Sequence, residues 1–121
     1  PAEVNRHIRR AGHLCAMLEK NGVIVVASFV SPFRESREFA REQAKRFVEV
    51  YLKTSVDACE VRDTQGHYAR ARAGEYHDFP GVHIPYEETK NAELVIDVDH
   101  ISHDQAVEQI VGYLRKQIIQ R

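Results

Sequence analysis

A chain of 121 residues, 43% hydrophobic and 29% charged, holds enough apolar material for one layered core and no second one. Its formal net charge of -1 sets up no overall basic field for a nucleic acid or an anionic membrane, and no run approaches the roughly 18 apolar residues of a membrane span. No charged-then-apolar leader opens it, and Cys15 and Cys59 lie in apolar helical patterns, as free thiols of a reducing compartment do more readily than a disulfide or metal pair; the chain reads as cytoplasmic.

Val4, Ile8, Ala11, Leu14, Cys15 and Leu18 recur at helical spacing, and the pattern stops at Asn21-Gly22, which suit a left-handed helix end. A first helix is predicted over Glu3 to Lys20. The β-branched run VIVVASFV, Val23 to Val30, lacks alternation and predicts a strand covered on both faces of a parallel sheet. A charged, half-exposed helix follows over Glu35 to Arg46, then a second strand over Phe47 to Leu52. Thr54 with Asp57 has the spacing of a capping box and predicts a short helix over Val56 to Arg62. Leu94 to Val98 reads as a third strand. Ser102 with Gln105 starts a last helix whose apolar face carries Ala106, Val107, Ile110, Val111, Leu114 and Ile118.

Helices alternating with strands predict an α/β fold built on a parallel sheet, which gathers ligands at the carboxyl ends of its strands. Ser31 to Arg34, Lys53 to Ser55 and Asp97 to His100 lie there. Ser31 has the position of a turn former or helix cap, and no Gly-x-Ser-x-Gly frames it as a nucleophile. The scattered histidines, His100 and His103 included, make no zinc signature, so no metal ligand is assigned.

From Asp63 to Glu93 the periodicity fails, and Gly66, Gly74, Pro80, Gly81 and Pro85 punctuate a stretch that reads as a solvated loop or as a functional lid. Arg62, Arg70 and Arg72 stand among Tyr68, Tyr76 and Phe79. That mixture suits a phosphate and a flat ring.

The blocks HIRRAGHLCAMLEKNGVIVVASFVSPFRESREFARE, FVEVYL, CEVRDTQGHYARARAGE and FPGVHIPYE, in that order, resemble adenylylsulfate kinase over essentially the whole chain. The resemblance implies a three-layer parallel sheet of the P-loop nucleotide kinase type. It also implies transfer of the ATP γ-phosphoryl group to the 3'-hydroxyl of adenosine 5'-phosphosulfate, with Mg2+, and a homodimer sometimes fused to or associated with ATP sulfurylase. Ser31 matches the family's designated serine, assigned there as a phosphoserine intermediate; in-line transfer between two bound nucleotides needs no protein nucleophile, so Ser31 is expected to contact substrate. The same resemblance places His7, Val30, Pro32, Phe33, Arg34, Gln65 and Phe79 at the acceptor nucleotide, with Phe79 on its adenine. It puts Arg62, Asp63, Arg70 and Arg72 in a nucleotide-binding lid over about residues 62–92.

The departures are specific. None of Gly12, Gly22, Gly66, Gly74, Gly81 and Gly112 precedes Lys-Ser or Lys-Thr, so the P-loop, with its strand and helix, is absent and the fold is expected to be incomplete. ATP and Mg2+ would be held by that other segment, and this chain alone is expected to be inactive. Val4 and His7 replace an Arg and an Asn of the family, and Gln65 replaces a lid lysine. These changes also fit a catalytically inactive, nucleotide-binding regulatory domain of the same shape.

Overall fold

The computed structural model describes residues 1–119. They form two compact units, one of Pro1–Phe47 with Gly66–Thr89, the other of Val48–Gln65 with the chain from Lys90 onward.

The first unit is organised by two helices, α1 (Ala2–Lys20) and α2 (Arg34–Gln43). Ile8, Gly12 and Ala16 form the buried seam of α1, one residue per turn. Small side chains there let the helices approach closely, and a Cβ at Gly12 would lie 3.2 Å from that of Ala40. The expected core positions Leu14 and Leu18 are instead 53% and 39% exposed. Hydropathy marked a broader apolar stripe than the small-residue seam that α2 covers. The end of α1 falls as expected: Gly22 has a φ of 84° and Asn21 donates to the Met17 carbonyl at 2.8 Å. Glu19 accepts from the Lys45 and Arg46 amides at 2.8 and 2.9 Å, so the chain turns away after Gln43, short of the expected Arg46.

The largest correction concerns Val23–Val30, which joins no β-ladder. Val26 is 90% exposed and Ile24 73%. A continuous apolar run becomes a buried strand only when neighbours supply both hydrogen-bond edges and both covering faces. Among the described residues none pairs with it as a strand, so of the three expected strands two form the parallel sheet.

The segment read as structureless contains a short helix. Gly66, at a φ of 72°, leads into His67–Arg72, with Ala71 fully buried. Six residues with one buried contact are too few to show a period. After it, Pro80 bridges to Ile84 and the Gly81 amide donates to the Ile84 carbonyl at 2.8 Å, closing a tight loop around buried Ile84.

In the second unit β1 (Val50–Lys53) runs parallel to β2 (Leu94–Asp97), in register from Val50 opposite Leu94 to Lys53 opposite Asp97. The strand expected from Phe47 thus starts three residues later, and buried Ile96 anchors the pair. The helix α3 (Val56–Arg62) lies where predicted, but Ser55 caps it by accepting from the Ala58 amide at 3.1 Å. Thr54 turns to Asp99 instead, at 2.8 Å. His67–Arg72 of the first unit is α4 in chain order. The helix α5 (His103–Leu114) has the expected Ser102–Gln105 capping box and continues as a π-helical turn, Arg115–Ile119; the Ile118 side chain lies outside those described. No helix among the described residues is long and apolar enough to cross a membrane.

Candidate functional site

The Ser31–Arg34 turn joins the exposed run to α2. Ser31 takes a φ of 46°, a left-handed conformation that a serine keeps only where its surroundings over-determine it. Pro32 behind it is fully buried. Phe33 is the extended N-cap residue of α2, and Arg34 opens the helix. The turn is fastened to Tyr86–Glu88: the Arg34 amide donates to Glu87 Oε2 at 2.8 Å, Arg34 Nε to the Glu88 carbonyl at 2.8 Å, and the Glu87 amide to the Pro32 carbonyl at 2.9 Å. Val30 is 62% exposed just ahead of the turn, and His7 on α1 sets its ring edge-on to Phe29 at 5.7 Å.

A second cluster is aromatic. Phe79 stacks on Tyr76 with centroids 5.8 Å apart and takes Tyr68 edge-on at 5.1 Å. Its amide donates to His83 Nδ1 at 3.0 Å, so the backbone beneath the ring is also held. His67 Nδ1 lies 3.2 Å from the Tyr76 hydroxyl. Arg70 spans the Tyr76 ring at 4.8 Å and pairs with Glu75 at 2.6 Å. That hydrogen bond, with the adjacent Tyr76 and Glu75 charges, raises the Arg70 guanidinium above its ordinary value. Arg72 stands on the last turn of the same helix, α4.

Arg62, Asp63 and Gln65 belong to the other unit. Arg62 pairs with Asp99 at 3.1 Å and donates to the Val98 carbonyl, and Asp63 accepts from the Gln65 amide at 3.3 Å. Nearby, at the carboxyl end of β2, Asp97 and His100 pair at 2.9 Å. Their hydrogen bond holds Asp97 below, and His100 above, the ordinary value of each.

The sequence reading missed Glu87 and Arg37. Arg37 is 8% exposed, in the middle of a charged helix. In a helix read only as charged and half-exposed, nothing in the sequence singles out the arginine that is buried beside Ser36. The Glu87 role needs a contact across 53 residues, which no local pattern encodes.

A family profile described as adenylylsulphate kinase matches residues 1–97. The chain belongs to that family. The adenylyl-sulfate kinase of Staphylococcus epidermidis is 40% identical over 118 residues, 96% of this chain and 59% of the relative. That of Prochlorococcus marinus is 47% identical over 110 residues, 89% of this chain and 55% of the relative. The chain therefore spans a little over half the length of these relatives. The solved APS kinase of Mycobacterium tuberculosis, in complex with AMPPNP and APS, superposes with a TM-score of 0.86 at 34% identity, covering 94% of this chain and 68% of that one. The architecture is accordingly that of the family's P-loop kinase fold over the shared part. Among the described residues no group of three or more His, Cys, Asp and Glu side chains could hold a metal ion, so none is assigned to Mg2+.

Proposed function

We propose that this chain carries the acceptor-nucleotide wall and lid of an adenylylsulfate kinase, with ATP as phosphoryl donor and adenosine 5'-phosphosulfate as acceptor. The observation that carries the reading is the shared architecture with an APS kinase solved with AMPPNP and APS, over nearly the whole of this chain. In the reaction the acceptor 3'-oxygen forms a bond to the γ-phosphorus as the bond from that phosphorus to the β,γ-bridging oxygen breaks, ADP leaves and the hydroxyl proton is released. The residues here bind and orient. The Ser31 hydroxyl, on a turn held by Glu87, contacts the acceptor, Phe79 offers a ring face to its adenine, and His7, Val30, Pro32, Phe33 and Arg34 of the same unit complete the wall. Arg62, Asp63, Arg70 and Arg72 lie in a lid over about residues 62–92 whose closure excludes water from the transfer. No Gly-x-x-x-x-Gly-Lys-Ser/Thr is present, so no residue of this chain is given the triphosphate or Mg2+, and the chain alone is expected to be inactive. A homodimer, an association with ATP sulfurylase and a cytoplasmic location belong to the same reading.

The alternative, an inactive nucleotide-sensing domain of the same fold, is favoured by Val4 and Gln65, which supply no charge where the family carries Arg and Lys. Two measurements separate these readings. Calorimetric titration of the 121-residue chain with adenosine 5'-phosphosulfate should show saturable binding, and heat no larger than dilution would remove both. A coupled assay of the full-length gene product with ATP should show turnover; binding without turnover selects the sensing domain.

A further inference from the structure

Arg37 is a buried cation placed where the Ser31 turn meets the Tyr86–Glu88 segment. Its Nη1 donates to the Ser31 carbonyl and its Nη2 to the Glu87 carbonyl, each at 2.5 Å, and its guanidinium carbon lies 5.0 Å from the centre of the Tyr86 ring. Burying a charge is costly unless it is well bonded, and a planar fork can serve two diverging carbonyls at once, which a lysine ammonium on a flexible stem does poorly. One of those carbonyls belongs to the residue at a φ of 46°, the other to the residue whose amide holds Pro32. Next to Arg37, the fully buried Ser36 hydroxyl donates to Asn5 on α1, so the helix presenting the guanidinium is itself anchored.

We infer that Arg37 is the positioning residue of the acceptor loop: its two carbonyl bonds hold Ser31 in its left-handed conformation and lock the loop to Glu87. Its guanidinium binds both carbonyls and acts through Ser31. The inference rests on the acceptor reading above for the ligand, but the lock itself is testable without any nucleotide.

The test compares wild type with Arg37→Lys, which keeps the charge and the stem but not the fork. Amide hydrogen exchange, with no ligand, should accelerate at least about tenfold at Glu87 and Arg34 relative to the amides of α1. Affinity for adenosine 5'-phosphosulfate, measured by titration, should fall about tenfold or more while the thermal midpoint moves by only a few degrees. Equal acceleration everywhere, or an unchanged affinity in a folded variant, overturns the inference. If the wild type does not bind the nucleotide, the acceptor reading fails, and the exchange data alone decide the lock. If Arg37→Lys does not fold, the wild type decides it: the Arg37 Nε–H resonance should exchange slowly with water, and averaging with the exposed arginines overturns the lock.

Discussion

The ring of Tyr76 lies within 12° of parallel to that of Phe79, and Tyr68 meets Phe79 edge-on at 77°. Aromatic packing of this kind fixes a ring without covering all of it. Phe79 is therefore held in place by its own neighbours. Phe79→Ala should weaken adenosine 5'-phosphosulfate binding by about tenfold or more, the scale of one base–aromatic stack, and Phe79→Tyr should restore most of it. Titration that finds Phe79→Ala within twofold of wild type removes the stacking role.

Ser31 combines a hydroxyl with a strained backbone, and two substitutions separate them. Ser31→Gly tolerates the positive φ and should leave stability within about 1 kcal/mol of wild type, whereas Ser31→Val should lose about 1–2 kcal/mol or more in a denaturant melt. In an active full-length enzyme, a substrate contact predicts that Ser31→Ala keeps measurable turnover. Near-total loss would instead point to a covalent phosphoserine.

At the α1–α2 seam, Gly12 faces Ala40 so closely that an added methyl would lie 3.2 Å from the Ala40 Cβ. Gly12→Val should destabilise the chain by about 1–3 kcal/mol through overpacking. Gly12→Ala should be near neutral, because about 1 kcal/mol of helix propensity offsets the tight methyl contact. Equal melting of wild type and Gly12→Val would show that the seam is loose.

The Asp97–His100 pair sets a pH signature at the end of β2. His100 is raised chiefly by its hydrogen bond to Asp97, so its contribution is present below the ordinary histidine value of 6.5 and fades as pH rises through the elevated one. Asp97 is lowered chiefly by the same bond, so its contribution is present above the ordinary 3.8 and fades as pH falls through the depressed value. Between 3.8 and 6.5 both are present. Both side chains are exposed, so the effect on stability is small and salt-sensitive. In an NMR titration Asp97→Asn should bring the His100 pKa down toward its ordinary value; an unchanged His100 would break the pairing.

Much of the fold was legible because it is local. The stop at Asn21-Gly22, α3, and the Ser102–Gln105 box follow from caps and periods within a few residues. Val23–Val30 was misread because strand formation depends on partners, and its composition speaks only of propensity. Of the candidate site, the Ser31–Arg34 turn and the arginine–aromatic segment were visible as composition. The Glu87 fastening and the Arg37 fork were not, since both join residues some 50 positions apart. Thr54 lost its expected capping role to Ser55 because Asp99, 45 residues away, claims its hydroxyl.

The central claim is that the Ser31 turn and the Phe79 platform serve one acceptor nucleotide. The most direct measurement is an amide NMR titration of the isotopically labelled chain with adenosine 5'-phosphosulfate. The account predicts that Ser31, Phe33, Arg34 and Phe79 shift together along one saturation curve. Separate curves for the turn and for Phe79, or shifts at neither, would contradict it.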